Sequence, residues 1–239
     1  MISKTFPTKT LAWVTIFAIA MGFLETSVVV YMRALLYPKG FAFPLAPIPT
    51  SLVMTEILRE AATLIMLIGI GVLAGKSAHS RFAWFLYAFA IWDIFYYVFL
   101  KVLINWPESW FTWDILFLIP TTWVGPVIAP VISSLTMILL SVLIVHFDGA
   151  KGKANLKALE WSLLIFGSFV LVISFSWDYS VFILKNYGFK HIWSMPSNEM
   201  IKATLQYTPQ SFNWWLFWLS ELVLFTGIFR YWNRIRKPS

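Results

Sequence analysis

Five carboxylates stand inside stretches that are otherwise strongly apolar: Glu25, Glu56, Glu60, Asp93 and Glu221. A charge at the centre of a bilayer costs about 2.5–3.5 kcal/mol on insertion scales, so such residues face the interior of a helix bundle and are functional by default. Carboxylates held close together share protons or bind hard metal ions. In an enzyme they act as general acid and base, while a guanidinium such as that of Arg59 would hold a carboxylate or phosphate.

The spacing supplies partners. Glu56 and Glu60 are one helical turn apart with Arg59 between them, so all three can share a face. Glu25 precedes Arg33 by eight residues and Asp93 precedes Lys101 by eight, two turns along one helix face in each case. Tyr96 and Tyr97 fall one turn beyond Asp93. The first and third spans therefore each present a deep acid with a base nearer the rim, where Arg33 and Lys101 would draw in an anionic group. Asp114 joins them at the rim if the segment around it dips inward.

The elements that must carry these residues follow from composition. Of 239 residues, 59% are hydrophobic and 12% charged, whereas soluble domains carry about 25% charged residues. Lipid must be part of the solvent. A spanning helix needs about 20 mostly apolar residues, and six stretches qualify, at approximately 11–37, 51–75, 82–104, 123–147, 159–184 and 212–231. The expected fold is an all-α polytopic bundle forming a single membrane domain over 1–239. A polar connection covers 185–210, and Gly and Pro punctuate an ordered loop at 38–49.

The run from Ile115 to Phe147 contains no Asp, Glu, Lys or Arg, and at 33 residues it is too long for one simple span. Pro120, Pro126 and Pro130 divide it. The expectation is a short interfacial or re-entrant piece near Phe111–Leu118, then span four from about Trp123. Non-helical backbone at membrane depth is tolerated only against protein or a water-filled cavity. Gly125 to Pro130 could break the fourth helix, although two prolines at a helix start are the commoner arrangement. Ser133, Ser134 and Thr136 could hydrogen-bond between helices.

Lysine and arginine set the orientation. With six spans and both termini cytoplasmic, 11 of the 18 basic residues fall inside and 6 outside, with Arg59 counted as intramembrane. Lys4 and Lys9 followed by Ala18-Ile19-Ala20 resemble a signal peptide, but the apolar run continues to Tyr37, which favours a retained first span. With a rise of 1.5 Å per residue, Glu25 lies roughly 9–12 Å below the outer end of its helix, and Glu60 and Glu221 roughly 13 Å below theirs. With Asp93 near mid-membrane, four acids from four helices fall in one layer of the outer half.

The absence of cysteine excludes disulfides and thiolate chemistry. His79, His146 and His191 are too scattered for a His-based zinc or haem site. No nucleic-acid motif is present, and the net charge of +7 reflects topology rather than a nucleic-acid partner. The leading reading is a multi-pass protein of the plasma or bacterial inner membrane. It would bind a small solute, a hard cation or protons at Glu25, Glu56, Arg59, Glu60, Asp93, Tyr97 and Glu221, for transport. An intramembrane enzyme acting on a lipid or lipid-linked substrate is the second reading. The third is an accessory subunit docked on a protein partner, its 22 Phe and 14 Trp supplying the contact surface. Ion pairs that only hold helices together are the simplest alternative to all three.

Overall fold

The computed structural model describes residues 6–119, 121–148, 155–188 and 205–236. Lys4, Pro120, Lys151, Lys153, Lys190, His191, Lys202, Lys237 and most of the 185–210 connection fall outside them.

Among the described residues six helices make up the bundle: α1 (Thr8–Leu36), α2 (Thr50–Ala74), α3 (Ala78–Ile104), α4 (Ile128–Phe147), α5 (Ala158–Tyr187) and α6 (Trp214–Ile235). The first five are long and apolar enough to cross a membrane. The sixth, 22 residues long, packs along α5. The chain has the make-up of a multi-pass integral membrane protein.

Local chemistry sets several of the helix ends. Ser77 and Ser80 form a reciprocal capping box at the start of α3, which satisfies backbone donors that have no partner within the helix. Asn105 ends the same helix in the left-handed region at φ 54°, a conformation that asparagine tolerates. In α6, the Asn213 side chain accepts from the Leu216 N–H.

Between α3 and α4 the chain forms an antiparallel hairpin of β1 (Trp113–Phe117) and β2 (Trp123–Pro126), pairing Asp114 with Gly125 and Ile115 with Val124. This is the segment read from sequence as interfacial or re-entrant. The fourth helix accordingly begins at Ile128 rather than near Trp123. The physical reason lies in the backbone donors. Val127 and Ile128 donate to the Thr112 and Trp110 carbonyls at 3.0 and 2.9 Å, so this stretch satisfies itself sideways across the hairpin. Gly125 admits the Phe212 ring, which would lie 3.0 Å from any added Cβ.

The helix α3 is central, packing against α1, α2 and α4, while α5 and α6 form an antiparallel pair joined to the rest through α4 and β2. The largest apolar cluster fills the end of the bundle away from the hairpin. It includes Val14, Ala18, Leu67, Trp84, Tyr87, Ile144, Leu164, Ile228 and Tyr231. Below the hairpin, by contrast, the interior holds a cavity.

Candidate functional site

The cavity measures 530 Å³ and is walled by α1, α2, α3, the loop after α1, the hairpin, and Tyr179 of α5. Its lining is mostly aliphatic and aromatic. Into it come Glu25, Glu56, Arg59, Glu60, Asp93, Tyr96 and Tyr97, together with Arg33 and Asp114. A volume of this order suits a small organic molecule, and a largely apolar wall with a few polar groups is the usual make-up of such a site.

The charged groups fall into three sets. Arg59 on α2 is held from two sides: its Nε donates to Glu56 Oε2 at 3.0 Å, and its terminal nitrogens bond Glu56 Oε1 and Glu25 Oε2. The α1–α2 contact at this level is thus a clasp of one guanidinium between two carboxylates. Arg33 on α1 donates to Asp114 on the hairpin at 3.1 Å. Its guanidinium also lies against two rings, 3.8 Å from the Trp106 ring centre and 4.4 Å from that of Phe41. Burial pushes the Asp114 carboxyl up to about 6, against the Arg33 charge, the Ile115 N–H and the Tyr97 and Tyr96 hydroxyls, which pull it down.

Glu60 and Asp93 form the third set. Neither makes an ion pair among the described residues. Glu60 Oε2 accepts the Leu118 N–H at 3.0 Å, which ties α2 to the strand-to-strand connection. Asp93 Oδ2 accepts from the Ser134 hydroxyl at 2.8 Å, which ties α3 to α4. Both carboxylates line the cavity without an ion-pair partner among the described residues.

Two residues expected at the site lie elsewhere. Glu221 is buried between α4 and α6, where Ser133 and Thr136 donate to its two oxygens at 2.9 and 2.7 Å, and it does not line the cavity. The helix α6 packs on α5 and α4 and not on α1, α2 or α3, the helices that wall most of the cavity. Lys101 is exposed, and its ammonium donates to the Pro107 carbonyl at 2.9 Å, off the cavity. The expected pair of rim bases therefore does not meet at the cavity: Arg33 lines it, buried and bonded through Nη2 to Asp114 with Nη1 unbonded among the described residues, while Lys101 lies off it. Among the described residues no three His, Asp or Glu side chains are placed as a metal-ligating group.

Sequence reasoning missed the aromatic side of the cavity: Tyr37, Phe41, Trp92 and Tyr179, with Thr121 and Thr122 beside the hairpin. The signal was present in the aromatic residues flanking Arg33 and following Lys101, but in a chain this rich in Phe and Trp it does not stand out.

No family model matches this chain, and no curated protein or solved structure matches it.

Proposed function

We propose that the protein binds a small solute in a pocket that opens toward the exterior of a cell membrane, as part of its transport. The observation that carries this reading is the placement of Glu60 and Asp93, two carboxylates without ion-pair partners among the described residues, on the wall of one 530 Å³ cavity. The excess of basic residues at the opposite ends of the spans supports reading the hairpin end as outside. An apolar plug around Trp84, Tyr87, Ile144 and Tyr231 closes the other end, as an outward-facing state requires. Both guanidiniums at the cavity are held by carboxylates, which weakens the alternative of an enzyme gripping a lipid phosphate. The clasp of Arg59 between Glu25 and Glu56 is read as structural, a hinge pin joining α1 to α2.

The test is solute-evoked current or flux in proteoliposomes, using a panel of amines, amino acids, sugars and carboxylates. At least one solute should give a response that Glu60→Gln and Asp93→Asn each abolish. A panel without any response, or a response that survives both amides, would remove the reading.

A further inference from the structure

We infer that the pocket selects an organic cation, an ammonium group carried on an apolar or aromatic body, and rejects anionic solutes. The inference rests on the pocket proposed above and names its substrate class. It begins from how the charges are paired. The Arg59 guanidinium is divided between Glu25 and Glu56, and Arg33 is bonded to Asp114 between two aromatic rings. Each is therefore already neutralised by a carboxylate, and the Arg33 Nη1, which has no hydrogen bond among the described residues, is buried rather than open to the cavity. Five carboxylates and two guanidiniums line the cavity, so its fixed charge is negative when the acids are ionised.

The remaining acceptors point to a donor-bearing guest. Glu60 is only 8% exposed. One of its oxygens is taken by the Leu118 N–H, and the other has no hydrogen bond among the described residues. That free oxygen is on the cavity side of a residue that lines the pocket, where an ammonium N–H would meet it in a charge-assisted hydrogen bond. Asp93, on α3, offers a second carboxylate bonded so far only to the Ser134 hydroxyl. Between and around them stand Trp92, Tyr96, Tyr97 and Tyr37, whose ring faces attract a cation by about 0.5–2 kcal/mol each. The aliphatic wall of Val29, Ile57 and Leu116 suits the apolar body. A bare metal ion fits less well, because it needs several converging oxygen ligands and no such group is placed among the described residues.

The chain has no cysteine, so single cysteines can report on the cavity without a known ligand. Ile57→Cys and Met32→Cys put a thiol on the wall, and Lys39→Cys puts one in the exposed loop after α1 as a reference. Each is reacted, in the full chain reconstituted into nanodiscs, with two membrane-impermeant methanethiosulfonates, one bearing trimethylammonium and one bearing sulfonate. The ratio of cationic to anionic rate at both wall positions should exceed the Lys39→Cys ratio by about tenfold or more, as a cleft of one sign concentrates counter-ions. It should fall back to the reference when Glu60→Gln and Asp93→Asn are added. Two wall positions guard against one variant misfolding. If both reagents label the wall with the reference ratio, the cation preference is wrong and the pocket stands. If neither labels the wall while Lys39→Cys reacts, the outward pocket itself is wrong and the inference falls with it.

Discussion

Arg33 on α1 and Asp114 on the hairpin, 81 positions apart in sequence, meet through a 3.1 Å hydrogen bond that fixes the hairpin against the first helix. The pair is sealed by Trp106 and Phe41, so it also joins the turn after α3 and the loop after α1. Asp114 is 2% exposed, and burial is the largest influence on it, raising it from 3.8 to about 6. The native carboxyl thus binds its proton more tightly than an unfolded aspartate does. Its contribution to stability is fully present below about pH 4 and is lost as pH rises through about 6. Melting temperatures of the wild type and Asp114→Asn, measured from pH 4 to 8, should show the wild type losing ground to the asparagine variant as pH rises. A difference that stays constant across that range would refute the assignment.

Close helix approach should make two glycines of one helix hairpin behave oppositely. At Gly75 an added Cβ would stand 2.4 Å from the Arg81 backbone nitrogen, whereas at Gly69 it would meet nothing within 4 Å. Gly75→Ala should destabilise by about 1–3 kcal/mol through overpacking. Gly69→Ala, inside α2, should be neutral or stabilising by about 0.5–1 kcal/mol. Thermal unfolding in detergent compares them, and equal losses would contradict the packing described.

Glu221 should behave as a clamp between α4 and α6. Glu221→Ala strips the Ser133 and Thr136 hydroxyls of their acceptor in a buried site, at a cost of about 1–3 kcal/mol. Glu221→Gln keeps an acceptor and should cost less. Neither should alter solute responses in proteoliposomes that survive reconstitution. An effect of Glu221→Gln on solute response equal to that of Glu60→Gln would return this residue to the site.

The meeting of three acids was legible in the sequence, and direction around the bundle was not. A rise of 1.5 Å per residue places Glu25, Glu60, Asp93 and Glu221 in one layer, and the first three line one cavity. Glu221 does not, because the side of the bundle on which α6 packs depends on its fit to α5 and α4, which spacing within α6 does not encode. The i, i+3 relation of Glu56 and Arg59 is local and was readable. The Arg33–Asp114 contact is not local, for it depends on a hairpin in which Asp114 stands among Trp, Ile, Leu, Phe, Val and Gly with no opposite charge on the facing strand to mark the register. Lys101 shares the eight-residue spacing of Arg33 from an acid, yet it turns to the Pro107 carbonyl. Spacing offers a side chain to a face but does not say which partner is nearer.

At the far end of the bundle, the α5–α6 pair is closed by Glu160, whose oxygens accept from Arg234 Nε and Nη2 at 2.8 and 2.7 Å and from the Lys157 N–H at 2.8 Å. Glu160→Ala should lower stability by about 1.5–3 kcal/mol, the range for a hydrogen bond to a charged group, and should leave solute responses unchanged. A loss of the solute response in a correctly folded Glu160→Ala protein would contradict a purely structural role for this clasp.

The claim on which the rest depends is that the cavity beneath the hairpin holds water and is reached from solution. Hydroxyl-radical footprinting of the protein in nanodiscs tests it most directly, because radicals form where water is. Met32 lines the cavity, while Met66 is exposed on the apolar outer face of α2. Oxidation of Met32 well above that of Met66 is the predicted result, whereas Met32 as protected as Met66 would show a dry, closed interior and contradict the account.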